Sequence, residues 1–381
     1  MRAVALIDGE HAPEVVRDAL AELPYEWVGA ILVGGTEKLR GAFDFGVPLV
    51  EGFDGAEVVV DLSDEPVLGP AARMAWASRV LAAGLPYVGA DFRFDPPHYA
   101  SWERSPLSLA VIGTGKRVGK TAVTGHIARL LARDRDVVVV AMGRGGPPEP
   151  ELIESPPSVA DLVTLSRSGR HAASDHLETA ALCGVPTIGC RRAGGGLAGQ
   201  VFVSNVLEGA ALAAAQRPDV VVFDSSGTAV PPVEVDRRVL VVGQGHDPDA
   251  HFNLYRRLIS DIVVAIGAEL PGAFAATLEL RPLEPLEGRV AVFTAGGADA
   301  GRLDAEVVAL SRNLGNREAL ADDLARVDAE TYLVELKGAA IDVVAEHALA
   351  RGRRVVFAAN DVVAPELDAA LLALVPAVTE V

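Results

Sequence analysis

The sequence predicts an α/β protein: a core built on a mostly parallel sheet, flanked by a small N-terminal α/β domain and a C-terminal α/β region. Three observations carry this. Continuous Val/Ile-rich runs alternate with helical stretches, as strands buried on both faces by crossover helices require. One such run, Leu109 to Ile112, passes through a glycine-rich turn directly into a helical pattern. At 381 residues the chain is too long for one ordinary core, taking roughly 100 to 200 residues per domain.

In the first hundred residues, Arg2 to Ile7, Trp27 to Val33 and Ala56 to Val60 read as strands, and Ala12 to Leu23 and Pro70 to Ala83 as helices. Residues 91–104 then collect aromatic, proline and charged side chains without periodicity, as a linker does. From Leu107 the strand-like runs are Leu109 to Ile112, Val137 to Ala141, Pro186 to Cys190, Val220 to Phe223 and Val239 to Val242. From about Ala276 the idiom repeats: VAVFTAG, a helix over Asn316 to Val327, TYLVEL, a helix over Ala339 to Ala350, and RRVVFAAN. The expected domains are 1–104, 105–275 and 276–381.

Half the residues are apolar, yet no run reaches the roughly 20 uncharged residues of a membrane span. Met1 to Ile7 is too short, and too soon followed by Asp8, Glu10 and His11, for a secretory signal, so a cytoplasmic protein with no membrane partner is expected. Cys183 and Cys190 are the only cysteines and read as reduced, buried thiols. With 52 acidic against 34 basic residues the chain repels polyanions at long range, which disfavours a nucleic-acid partner and obliges any anionic substrate to find a local basic pocket. Only four of the 34 basic residues are lysines, Lys38, Lys116, Lys120 and Lys337. Two accounts fit this scarcity: a codon bias that converts most lysines to arginine, or a need at the surviving positions for a compact point charge that a guanidinium cannot replace.

Two of those lysines lie in Gly113-Thr114-Gly115-Lys116-Arg117-Val118-Gly119-Lys120-Thr121, between a strand and a helix. Backbone N–H groups of such a loop wrap a β-phosphate, the helix N-terminus adds its positive end, Lys120 reaches the β- and γ-phosphates, and the Thr121 hydroxyl faces Mg²⁺. The core is therefore read as a P-loop NTPase fold taking ATP and Mg²⁺. Gly113, Thr114, Gly115, Arg117, Val118, Gly119, Lys120, Thr121 and Ala122 are the expected nucleotide ligands. Thr114 stands where the strict motif has glycine, and in this the loop resembles that of dethiobiotin synthetase, a dimer-forming branch of P-loop proteins; a homodimer is the implied assembly. No Asn/Thr-Lys-x-Asp run follows a late strand; Leu240 to His246 reads LVVGQGH, which favours ATP over GTP.

A second acid closes the run Pro218 to Asp224, at the end of a strand expected beside the loop strand, where Mg²⁺ or its water would be held. Asp224 and Asp175 are the candidate metal ligands beside Thr121. Arg144, Arg170, Arg191 and Arg192 each occupy a glycine-rich segment after a core strand, at the carboxyl edge where open parallel sheets bind ligands.

Met142 to Pro147, Ser166 to His176 and Gly189 to Gly196, together with LIDGEH, GADFRFDPP and ELKGAAIDVV, resemble the signature runs of the cyclic 2,3-diphosphoglycerate synthetase family over most of the chain. The resemblance implies ATP- and Mg²⁺-dependent closure of 2,3-diphosphoglycerate into its cyclic diphosphate. The residues suit that substrate, since two phosphates and a carboxylate facing ATP need several guanidinium forks. On this reading Lys120, Lys116, Arg144, Arg191 and Arg192 are catalytic, and Arg170, His171, Arg191, Arg192, Lys38 and Arg93 bind the acceptor. The N-terminal domain is then an acceptor-site lobe. Another ATP-dependent ligase of the dethiobiotin synthetase kind, and a nucleotide-switched regulator, are the alternatives.

Overall fold

The computed structural model describes residues 1–39, 44–103, 106–296 and 300–375, so the expected boundary at 104–105 falls outside the described residues. Two compact units emerge: Met1–His98 with Asp247–Ile259, and Tyr99–His246 with Ser260–Val381.

The first unit carries β1 (Arg2–Asp8), α1 (Pro13–Glu22), β2 (Glu26–Gly34), β3 (Val58–Asp61), α2 (Pro70–Ala82), β4 (Tyr87–Val88) and β5 (Arg93–Phe94). Its sheet order is β2-β1-β3-β4-β5. The RAVALID strand lies inside the sheet, between β2 and β3, with everything after Arg2 buried, as a continuous apolar run demands. Proline opens both helices, where its missing N–H costs nothing. Asp8 closes β1 as a loop anchor, its carboxylate accepting from the backbone N–H of Glu10 (3.0 Å) and of Asp64 (2.9 Å).

The second unit begins with β6 (Leu107–Gly113), α3 (Lys120–Leu131), β7 (Val137–Gly143), β8 (Glu151–Ile153), α4 (Val159–Arg167), α5 (Asp175–Cys183), β9 (Thr187–Ala193), β10 (Val203–Ser204), α6 (Val206–Ala215), β11 (Val220–Asp224) and β12 (Arg237–Val242). The chain then lends α7 (Asn253–Leu258) to the first unit, where the Ser78 hydroxyl donates to the His251 carbonyl at 3.0 Å. It returns through β13 (Ile262–Ile266), β14 (Phe274–Pro282), β15 (Arg289–Phe293), β16 (Glu306–Ser311), α8 (Arg317–Arg326), β17 (Thr331–Glu335), a π-helical turn (Ala340–Ala345), α9 (Glu346–Ala350), β18 (Arg354–Val363) and α10 (Leu367–Leu374). The single helix expected over Ala339 to Ala350 is thus divided, with Val344 N–H bonded back to Ala339 at 3.2 Å.

One 13-stranded sheet, ordered β10-β9-β7-β11-β6-β12-β13-β14-β18-β17-β15-β16 with β8 on β9, contains the strands of both expected later domains. The expected division at 275–276 falls inside β14. From β9 to β14 every pairing is parallel, and α3 and α10 bury Ile127, Leu131, Leu367 and Leu371 against Leu109, Val139, Val222 and Val241. Burying such side chains contributes about 1.5–3 kcal/mol each.

The register of β14 decides the shape of the site. Only Phe274–Ala276 pair with β13. Thr277–Pro282 continue past the carboxyl edge and pair antiparallel with β18, which runs parallel to β17, as β17 does to β15. The carboxyl ends of β15 and β17 therefore point back toward the carboxyl ends of the core strands. Leu162 and Val163 of α4 pack into the core of this second half-sheet with Phe293, Tyr332 and Leu320. Among the described residues no helix is long and apolar enough to cross a membrane.

Candidate active site

The glycine loop spans the end of β6 and the start of α3. Gly119 takes φ +97°, and a Cβ there would also meet Ile266 Cγ1 at 3.1 Å, so only glycine makes this entry without strain. A Cβ on Gly113 would stand 2.8 Å from Lys120 Cδ, so its absence lets the lysine stem fold back. Lys120 Nζ donates to the Gly115 carbonyl at 2.7 Å and is buried. Thr114 ties the loop to β12: its N–H donates to the Val241 carbonyl (3.1 Å) and its hydroxyl accepts from Gly243 N–H (3.4 Å). That is a local use for the threonine in a glycine position. Arg117 holds φ +61°, a left-handed conformation that costs a non-glycine residue about 1–2 kcal/mol and clusters at functional sites.

Asp224 ends β11, whose register places it beside Val111 of β6. It is buried, and its two oxygens accept from the hydroxyls of Thr124 (3.0 Å) and Thr179 (3.3 Å). Burial pushes its carboxyl up to about 7, with Lys120 opposing. Burial likewise pushes Lys120 down to about 8 against the pull of Asp224 and Asp175. Asp175, in the first turn of α5, accepts from the Ser226 hydroxyl at 3.0 Å and rests where a Cβ on Gly143 would be. Thr121 lines the same cavity as these two carboxylates, and hydroxyl and carboxylate oxygens are the donors Mg²⁺ takes. Among the described residues no group of three or more His, Cys, Asp or Glu is placed to hold a metal ion.

Two cavities flank the loop. One, of about 340 Å³, brings Lys116, Arg117, Lys120, Arg144 and His171 together with Asp175, Glu178 and Asp224, and receives Lys337 from beyond β17. The other, of about 410 Å³, lies against Arg117, Val118 and Gly119, with apolar walls from Ile266 and Leu278 and polar groups from Gln244 and Asn360. The remaining candidates are placed otherwise. Arg191 is exposed, its backbone N–H donating to Asn205 Oδ1 at 2.7 Å. Arg192 is buried and donates to the carbonyls of Gly194 (2.6 Å) and Ser226 (2.8 Å), tying two loops together. Burial, then neighbouring Arg144, hold its guanidinium below its ordinary value. Arg170 is exposed, 3.4 Å from Glu151, and with His171 lines a cleft of about 50 Å³. In the first unit Lys38 pairs with Glu37 (2.8 Å) and Arg93 with Asp95 (2.6 Å). Cys183 and Cys190 are free and buried, and burial raises both thiols.

Lys337 and Glu178 are the site residues sequence reasoning passed over. The scarcity of lysine was the signal for Lys337. Burial pushes Glu178 from 4.5 up to about 7, with Lys337 opposing. A carboxyl raised on folding adds stability that is complete below its unfolded pKa and lost as pH rises through the folded one. Glu178→Gln is therefore expected to flatten the fall in melting temperature between about pH 4.5 and 7, read by calorimetry across that range. An unchanged slope would show that Glu178 ionises as freely as it does in the unfolded chain.

Three family models cover most of the chain: the cyclic 2,3-diphosphoglycerate synthetase N-terminal domain at residues 2–95, its P-loop domain at 108–279 and its C-terminal domain at 300–361. The cyclic 2,3-diphosphoglycerate synthetase of Rubrobacter xylanophilus is 48% identical, covering 98% of this chain and 97% of its own. That of Pyrococcus abyssi is 38% identical over 94% and 93%, and that of Methanothermobacter thermautotrophicus 35% identical over 98% and 95%. Among solved structures, apo-form LpxK of Aquifex aeolicus in complex with ATP aligns at a TM-score of 0.44 and 13% identity, over 73% of this chain and 91% of that one. The domain order matches along the whole chain, the loop between β6 and α3 lies inside the matched P-loop domain, and near-full-length relatives share the name: the chain belongs to the cyclic 2,3-diphosphoglycerate synthetase family.

Proposed function

We propose that this enzyme closes 2,3-diphosphoglycerate into its cyclic diphosphate at the expense of ATP, with Mg²⁺. The observation that carries the reading is the cavity beside the glycine loop, where Lys116, Arg117, Lys120, Arg144 and Lys337 face three acids, two of them held near neutrality by burial. Such a cavity accepts several phosphates although the molecule as a whole carries a net charge of −18. The loop amides, Lys120 and Lys116 hold the β- and γ-phosphates; the second cavity, with Ile266 and Leu278 on its walls, amides from Gln244 and Asn360 and charged groups from Glu279, Arg302, Glu335 and Lys337, takes the base. Thr121, Asp224 and Asp175 would hold Mg²⁺, which when bound neutralises phosphate charge.

One substrate phosphate oxygen attacks the γ-phosphorus and releases ADP. The other substrate phosphate then attacks the substrate phosphorus of the new anhydride, expelling inorganic phosphate as the ring closes. The protein's part is positioning and charge stabilisation. Arg144 clamps the acceptor from within the cavity, and Arg191 and Arg192 border that edge from β9. A homodimer is the proposed assembly, to be read by light scattering.

The test is incubation with ATP, Mg²⁺ and 2,3-diphosphoglycerate, followed by phosphorus NMR; a cyclic product is expected, and ATP hydrolysis without it would favour another ligase or a regulatory ATPase. Arg144→Ala is expected to raise the acceptor KM at least about tenfold while the ATP KM stays within about threefold. A rise confined to ATP would place Arg144 on the nucleotide side.

A further inference from the structure

Lys337 projects from a rigid turn of the second half-sheet. Gly338 takes φ +55°, and a Cβ on it would strike the Leu314 carbonyl at 2.3 Å. Backbone bonds from Ala339 N–H to Leu314 O and from Ala340 N–H to Lys337 O, both 3.0 Å, fix the turn. Lys337 lines both cavities flanking the glycine loop, the one beside Lys120 and the one beside Gln244. Its partner is Glu178 Oε1 at 3.5 Å, an atom that accepts no hydrogen bond of ordinary geometry among the described residues. The neighbouring Glu335 is occupied, accepting from Ala295 N–H and from Asn360 Nδ2, each at 2.6 Å. Lys337, on a tight turn of the opposite half-sheet and lining the same two cavities as the phosphate loop, is placed for an anion that arrives between turn and loop.

We propose that Lys337 is a catalytic residue of this enzyme, leaving Glu178 to contact the transferring γ-phosphate from the side opposite Lys120. This rests on the glycine loop being the ATP site, and not on the identity of the acceptor. The compact ammonium matters, because a planar fork on a longer stem would carry the charge past the phosphorus. Contact with the transferring group, rather than with ADP, makes the effect one of the transition state.

The test is calorimetric binding of ADP with Mg²⁺, with and without aluminium fluoride as mimic of the transferring group, using the full chain. Lys337→Gln is expected to lose about 10²- to 10³-fold in affinity for the fluoride complex and to change ADP affinity by less than about threefold. Glu178→Gln, which keeps the ammonium and removes its partner, is expected to lose less than about tenfold. If Lys337→Gln fails to fold, Lys337→Arg, which preserves the ion pair, is expected to lose at least about tenfold. Fluoride-complex affinity within about threefold of wild type in Lys337→Gln or Lys337→Arg overturns the proposal. So do equal losses and equally lowered melting temperatures in the glutamine variants of Lys337 and Glu178, which would make the pair a structural tie. A wild-type enzyme that binds no ADP overturns the nucleotide reading underneath, an outcome distinct from both.

Discussion

Lys120→Ala is expected to lower ATP-dependent turnover by about 10³-fold or more, since on the proposed reading it removes the charge nearest the transferring phosphate. Lys120 is buried, folds over Gly113 and is held to the Gly115 carbonyl. It is therefore already placed for a phosphate and loses little on binding one. The fold is expected to survive. Removing the ammonium strips Asp224 of its counter-charge, but burial already raises that carboxyl to about 7, so it takes up a proton instead of remaining a bare buried charge. Product formation followed by phosphorus NMR, with a melting curve alongside, checks both halves. Turnover near wild type would remove the glycine loop from the mechanism.

Asp224→Asn is expected to cut turnover by about 10²-fold and to raise the Mg²⁺ concentration at half-maximal rate. The amide is isosteric and reaches the Thr124 and Thr179 hydroxyls that now donate to the carboxylate. Packing is kept while the negative charge is lost. The melting temperature is expected to stay within a few degrees, because a neutral amide is less costly than an ionised carboxyl at a buried position. A Mg²⁺ titration of the rate decides: an unshifted midpoint would leave Asp224 a fold residue that hydrogen-bonds α3 and α5 to β11.

Contact with both cavities is where sequence and tertiary structure part. The loop was legible because its chemistry is contiguous: strand, glycine turn and helix follow one another, and the spacing from Gly113 to Thr121 dictates which backbone amides converge. Asp224 was legible for a related reason, as an acid closing an unbroken apolar strand has few places to be but the carboxyl edge. Periodicity alone recovered the central strands of both units, because full burial on two faces writes itself into consecutive Val and Ile residues.

Other features depended on pairings between distant segments. The roles of Arg192, which ties Gly194 to Ser226, and of Thr114, which ties the loop to β12, are contacts between loops that no spacing announces. The excursion of Asp247–Ile259 into the first unit interrupts a domain whose sequence reads as continuous. Above all, Lys337 reaches the site because β14 outruns β13 and pairs antiparallel with β18, about 80 residues later, turning a second set of strand ends back on the first. Hydrophobic period tells a strand which face to bury, not which partner to take or how far to run past it. By itself the sequence determined the phosphate loop and the strands that present it. The tertiary structure alone decided which distant cations stand opposite, since that follows from strand register, a property of the pair and not of either strand.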